Sequence, residues 1–563
     1  MAGNSIVAHA VEWLAGDMFV AGSGNWSNGG NWTSGTPAAG NDVLIVPSDG
    51  ASHTVTYDNA SSVALGNVTL DETGGAALSF NQSQYTLSAV NETVGVIGSA
   101  NYYLSGGTNT VSGTLTLGAQ TGSVGNYYLS GTGALIVGTL ITNGNPSSFS
   151  WTGGSLTLTG QPLGFFNYGP PALFSPLGLG LSLYSGMNLT VENNIEWLGD
   201  AGASVTQYAG SSNSAQGLEV GGSDVIQGTT SNVVLYTLNG GTLTCGFEGE
   251  TIGYAYGPYG GPAFFNQTGG INNANSLYVD FNAAGTYSMF GGQLNSNATV
   301  NNGAINQYGG TSSLGPLSGT GSTTIGGNEV PASMTVAGLN QSAVTISSMG
   351  TLKITGGSDN AVNTLMIDGG QLDITNTRLF IDYGSGPDPI ASIAAWIASG
   401  SDGGAWNGTG IMSTNAQTNG GSYGIGYADS ADPGNPANLS SGTIEIMYTL
   451  LGDANLDGKV NGTDFDLMAT NFNQAVTNGW DEGDFNYDGK VNGNDFVLLA
   501  DNFNQFVSQS GVSAADLAAL DNFAIANGIS LANIPEPTTF VLSAGFLSAV
   551  VACRRRAVSK GKM

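Results

Sequence analysis

Asn101-Tyr102-Tyr103-Leu104-Ser105-Gly106 returns as Asn126-Tyr127-Tyr128-Leu129-Ser130-Gly131, and more loosely as Phe149-Ser150-Trp151-Thr152-Gly153. A short strand-like phrase that ends in glycine and keeps recurring points to a solenoid, whose units bury their apolar side only against their neighbours. Later versions are Gln207-Tyr208-Ala209-Gly210, Tyr236-Thr237-Leu238-Asn239-Gly240-Gly241 and Phe265-Asn266-Gln267-Thr268-Gly269-Gly270. Tyr287-Ser288-Met289-Phe290-Gly291-Gly292 and Asn306-Gln307-Tyr308-Gly309-Gly310 continue the series. Most spacings fall between about 18 and 31 residues.

Within the units, apolar and small polar residues alternate, as in Thr114-Leu115-Thr116-Leu117 and Ser155-Leu156-Thr157-Leu158. That is strand periodicity with one face buried. Gly and Asn mark the places where the backbone turns through positive φ. The fold expected over 51–378 is a right-handed parallel β-helix, mainly β. With coils of about 24 residues stacked at about 4.8 Å it makes a rod on the order of 60 Å long. Few charges suit it, because stacked like charges repel while Asn, Thr and Ser ladders do not.

Composition agrees: of 563 residues, 90 are Gly and only 9% are charged. The formal charge of -30 disfavours nucleic acid and anionic membranes, so no nucleic-acid partner is expected. Before residue 450 the only basic residues are Lys353 and Arg378. The two cysteines, Cys245 and Cys553, lie in regions of different character, so no disulfide is expected.

The body offers little for catalysis, and no catalytic residue is assigned. Lys353 and Arg378 stand beside no acidic cluster, and nothing near His9 or His53 supports a Ser/His/Asp nucleophile system. A paired-carboxylate glycosidase would draw on Glu248 with Glu250, which strand alternation puts on one face, or on Asp368 with Asp373. Trp26 and Trp32 in the opening unit, 11–50, are expected to pack inside rather than form a sugar platform.

The sharpest chemistry is a duplicated loop. Asp453-Ala454-Asn455-Leu456-Asp457-Gly458-Lys459-Val460-Asn461-Gly462-Thr463-Asp464 recurs as Asp484-Phe485-Asn486-Tyr487-Asp488-Gly489-Lys490-Val491-Asn492-Gly493-Asn494-Asp495. Ca²⁺ takes six to eight hard oxygens, from side chains at loop positions 1, 3, 5 and 12 and a carbonyl at 7. Those are Asp453, Asn455, Asp457, Asp464 and the carbonyl of Lys459, then Asp484, Asn486, Asp488, Asp495 and the carbonyl of Lys490, for two ions. Asn461 and Asn492 are expected to act through water. A helix should follow each loop, with Phe465, Met468 and Phe472 facing Phe496, Leu499 and Phe503.

Asp at position 12 and the lack of a long helix before the first loop make 451–507 resemble a type I dockerin, a small all-α calcium module. The resemblance implies a cohesin-like partner, chosen partly by positions 10 and 11: Gly462 and Thr463, Gly493 and Asn494. The opening unit, 11–50, is expected to cap the solenoid at its N-terminal end, and its Gly24-Asn25-Trp26-Ser27-Asn28-Gly29-Gly30-Asn31-Trp32, Gly35-Thr36-Pro37 and Asp42-Val43-Leu44-Ile45 are similar to the opening of autotransporter-like surface β-helices. Residues 379–450 look like the spacer that often precedes such a module. Residues 512–533 read as a short helix and linker.

At the end, Pro535-Glu536-Pro537 precedes the apolar run Phe540 to Cys553 and then Arg554-Arg555-Arg556. This order of parts, over 534–563, resembles the PEP-CTERM sorting signal. It implies export, transient membrane insertion of the C-terminal tail as a transmembrane segment, recognition by an exosortase and release to the cell surface or extracellular matrix. At the other end, Ala8-His9-Ala10 has the form of a cleavage site, and 1–10 is expected to be the remnant of a signal peptide. The function expected is a structural or adhesive surface protein of the matrix. The alternatives are a docked polysaccharide-degrading enzyme and a carbohydrate-binding protein without turnover.

Overall fold

A computed structural model describes residues 16–165, 175–199, 202–221, 233–254, 262–281, 283–419, 421–476, 479–503 and 514–529. The expected signal remnant, the sorting signal from Pro535 to Arg556, His9 and Cys553 lie outside these residues. Among the described residues no helix is long and apolar enough to cross a membrane. The chain divides into two compact units, Met1–Leu372 and Asp373–Met563.

The first unit is a parallel β-helix, and the repeated phrase supplies its rungs. Ser99–Leu104 lies parallel to Val124–Leu129 with Tyr102 opposite Tyr127 and Tyr103 opposite Tyr128, and Tyr127 is then opposite Phe149. After the glycine corner each coil continues as a longer strand: Thr86–Val94, Thr108–Leu117 and Ala134–Ile141 stack in parallel. Most of these longer strands are broken by a bulge, at Ala89/Glu92, Val137/Thr139, Val191/Ile195 and Ala215/Gly217, which turns the coil onto a further face.

Alternation then decides what is inside. Tyr102 is fully buried and its neighbour Tyr103 is 36% exposed. Inward rings pack from rung to rung: Trp26 meets Tyr57 edge-on at 5.2 Å, Phe80 lies 4.9 Å from Tyr102, and Tyr102 stacks on Tyr127 at 4.5 Å. Trp26 and Trp32 belong to this core, and Trp32 Nε1 donates to the Trp26 carbonyl at 2.7 Å. At the corner Gly270 (φ +70°), a Cβ would come within 2.6 Å of the Gly241 carbonyl one coil below, so close stacking requires glycine there. The residue offset between stacked positions varies, from 18 (Thr320 on Asn302) through 25 (Asn126 on Asn101) to 33 (Met187 on Gly154).

The second unit is built differently. Arg378–Asp382 and Tyr423–Asp429 flank Thr443–Leu450 in an antiparallel sheet. Helix α1 (Ile390–Ser401) buries Ile393 and Ile397. Helices α2 (Gly462–Thr470), α3 (Gly493–Asn502) and α4 (Ala514–Ala526) complete it.

Candidate metal centre and docking module

The two loops share one hydrogen-bond frame. In the first, the Asp453 carboxylate accepts from the N–H groups of Asp457 (3.1 Å) and Gly458 (3.0 Å), and the Thr449 hydroxyl donates to it. Asn455 Oδ1 accepts from Asp457 N (3.0 Å), and Asp457 Oδ1 from Lys459 N (3.0 Å). Asp464 closes the ring: Oδ1 accepts from Ala454 and Asn455 N, and Oδ2 from Asn461 N. In the second loop Asp484 accepts from Asp488 (3.1 Å) and Gly489 (2.8 Å), Asn486 from Asp488, Asp488 from Lys490, and Asp495 from Phe485, Asn486 and Asn492.

The backbone explains why these residues stand there. Gly458 (φ +81°) and Gly489 (φ +80°) make the turn at position 6, and Leu456 and Tyr487 also take positive φ at position 4. Asn461 and Asn492 at position 9 accept from Thr463 N and Asn494 N, both at 2.9 Å, and begin α2 and α3. With Asp464 and Asp495 three residues on, they form two capping boxes. The position-12 carboxylates therefore both close a loop and start a helix.

Burial pushes the Asp453 and Asp464 carboxyls up to about 7 and Asp495 up to about 6, and Asp484 is also raised. Lys459 and Lys490 have exposed side chains and bring no charge inward. Among the described residues no three acidic, His or Cys side chains form a finished metal shell. What the loops offer is carboxylate, amide and carbonyl oxygen around a turn, a donor set that fits a hard, flexible cation. Buried carboxylates short of positive charge are the physical demand such an ion meets.

Phe523 of α4 joins the two helices that follow the loops. Its ring meets Phe465 at 5.2 Å, Phe472 at 4.9 Å and Phe496 at 5.6 Å. The same helix and the residues just after it approach the expected partner positions, since a Cβ on Gly462 would lie 3.0 Å from Asp516 Cγ and one on Gly493 would lie 3.8 Å from Ile529 Cγ1. Thr463 and Asn494 are exposed.

Sequence reasoning missed how the loops are seated. Trp480 is fully buried and donates from Nε1 to the Asp453 carbonyl at 2.7 Å. Gly426 leaves room for it, because a Cβ there would meet Trp480 Nε1 at 2.7 Å. The residues read as a spacer are thus the floor beneath the loops. The only sequence signal was the Gly424-Ile425-Gly426-Tyr427 alternation, whose glycines make way for Leu451 and Trp480.

The carboxylate pair considered for catalysis does not form. Gly249 (φ +77°) breaks the alternation, so Glu248 is exposed while Glu250 is fully buried and accepts from Asn272 at 2.8 Å. Asp368 is exposed, and Asp373 accepts from the N–H groups of Thr375 and Thr414. The surroundings of His53 hold a serine and an aspartate. Ser23 Oγ lies 3.5 Å from its Nδ1 and Asp49 Oδ1 2.8 Å from its Nε2. At 3.5 Å the serine contact is too long for a good hydrogen bond, and Ser23 Oγ instead accepts from Thr54 N at 3.0 Å, fastening adjacent coils.

Fold and site together define a parallel β-helix protein that carries a module of paired EF-hand-like loops. Residues 451–504 match the model of the dockerin type I domain. No curated protein and no solved structure matches the chain.

Proposed function

We propose that this is an exported, calcium-binding protein of the cell surface or extracellular matrix, with a structural or adhesive β-helix and a docking module for a cohesin-like partner. One observation carries the reading: two loops with the same acceptors, donors and helix caps at corresponding positions. In each, the position 1, 3, 5 and 12 side chains and the position-7 carbonyl hold one Ca²⁺. The bound ion supplies the positive charge that the buried carboxylates lack, so its binding energy is also folding energy. Asp453 and Asp484 orient the turn, and Asp464 and Asp495 tie it to the following helix.

The test is calorimetric titration of Ca²⁺ into the protein beside the variant Asp453→Ala with Asp484→Ala. Two binding events, lost in the variant, are expected. No heat in the parent would reduce the loops to turn motifs.

Delivery to the surface rests on the order of parts in the tail, Pro535-Glu536-Pro537, apolar run and Arg554-Arg555-Arg556, as a substrate for an exosortase. A second reading, polysaccharide binding by the β-helix, is favoured by rings stacked on its outside. Tyr103 lies on Tyr128 at 4.7 Å and Tyr184 on Tyr208 at 5.0 Å. Such exposed flat pairs offer a surface to sugar rings. The reading as a docked polysaccharide-degrading enzyme is weaker, since Glu250 is fully buried and committed to Asn272.

A further inference from the structure

A third group of acidic side chains gathers outside the two loops, between the end of the strand Tyr423–Asp429 and the turn Trp480–Glu482. Asp429 is fully buried. Its Oδ1 accepts from Tyr383 Oη (2.8 Å), Ser430 Oγ (3.2 Å) and Ala431 N (3.0 Å), while its Oδ2 has no hydrogen-bond partner. Asp432, one turn on, accepts from Asp429 N at 3.2 Å. Asp481 is 3% exposed, and no protein donor reaches either of its oxygens. The polar group that meets it is another carboxyl, Asp432. Asp388 adds its charge beside Asp429, and Glu482 beside Asp432 and Asp481.

Nothing basic offsets this concentration of acid. From Asp373 to Ile529 the sequence holds only Arg378, Lys459 and Lys490 as basic residues. Arg378 is paired with Glu445 at 3.4 Å, and both lysines project from exposed loop positions. Desolvated carboxylates must share protons or hold a cation, because an unpaired buried charge costs several kcal/mol.

We propose that Asp429, Asp432 and Asp481 form a third Ca²⁺ site, with Asp388 and Glu482 at its rim. The donors are oxygen only and come from a strand end and a separate turn, an irregular set that suits Ca²⁺ better than the strict octahedron of Mg²⁺. No three carboxylates are yet drawn into a ligand shell among the described residues. Without an ion, Asp481 keeps a proton, its carboxyl being raised to about 9 by burial and by the charge of Asp432. The ion displaces that proton, takes up the orphaned oxygens and clips residues 429–432 to the turn that leads into the second loop. This site is independent of the loop ligands.

Bound Ca²⁺ is counted by equilibrium dialysis of the full chain with the metal alone, for the parent, Asp481→Asn and the loop variant Asp453→Ala with Asp484→Ala. Circular dichroism verifies folding. Asp481→Asn should bind one ion fewer than the parent, and the loop variant should keep one. Equal counts for the parent and a folded Asp481→Asn overturn the third site. Equal counts for the parent and a folded loop variant overturn the loop ligands instead. If a variant does not fold, the parent decides: three ions support the site, and two or fewer overturn it.

Discussion

The Tyr487 hydroxyl is hydrogen bonded to both backbone groups of Ile425, accepting from its N–H at 3.0 Å and donating to its carbonyl at 3.1 Å. A side chain at position 4 of the second loop thus completes the backbone pairing of a strand far earlier in the chain. Tyr487→Phe removes one oxygen and leaves two backbone groups without it. We expect a loss of about 1–3 kcal/mol in urea unfolding of the second unit, with calcium present or absent.

Asp464 and Asp495 each accept three backbone N–H groups in addition to any ion they bind. Asp464→Ala or Asp495→Ala should therefore destabilise the module by about 1 kcal/mol or more even in chelator, through the lost cap. In calcium the deficit should be larger. Unfolding curves in both buffers separate the two contributions, and identical stability of parent and variant in chelator would rule out the capping role.

Inside the β-helix the bulged strands bring in Glu92, Glu196 and Glu250, each accepting from an Asn that also donates to a buried Tyr hydroxyl: Asn109 and Tyr127, Asn213 and Tyr236, Asn272 and Tyr287. Burial raises the three carboxyls to about 7, 7 and 8. Because each carboxyl holds its proton more tightly in the folded chain than in the unfolded one, the stability it contributes is complete below about pH 4.5 and is lost as pH rises through 7 to 8. Melting of the first unit should fall from pH 5 to pH 8.5, and Glu250→Gln should flatten part of that slope. An unchanged slope would show that Glu250 is not neutral in the fold.

Phe523 connects α4 to the rings of α2 and α3. Phe523→Ala should loosen α4 and speed hydrogen exchange at Gly462, Thr463, Gly493 and Asn494. If α4 covers the partner surface, cohesin-like binding should strengthen in the same variant.

Tyr103→Ala with Tyr128→Ala removes an exposed stacked pair. Stability should change by about 0.5 kcal/mol or less, while any retention on immobilised polysaccharide should drop. Unchanged retention would leave the outer rings without a binding role.

The repeated Asn-Tyr-Tyr-Leu-Ser-Gly phrase was enough to read the β-helix, because in a coil whose strands stack in register the repeat is itself the pairing. The calcium loops were legible for a similar reason, their Asx and Gly positions being dictated by local turn geometry. Residues whose role depends on distant partners were not legible. Strand alternation put Glu250 on one face with Glu248, and the positive φ at Gly249 turned it inward. Asp481 and Asp429 lie far apart in sequence, and no local pattern announces that folding sets them in one acidic group. No local pattern marks Trp480 or Tyr487, though one supports the first loop and the other closes onto Ile425.

The variable offset between rungs, 18 residues at Thr320 and 33 at Met187, coexists with parallel pairing among the described strands. The difference in length is carried between the paired strands, at the corners of the coil. Insertions and deletions at those corners can therefore accumulate as outward decoration while the stack beneath stays in phase. In such a lineage surface features diversify quickly and the interior hardly at all, so relatives would share a skeleton long after their outlines cease to match.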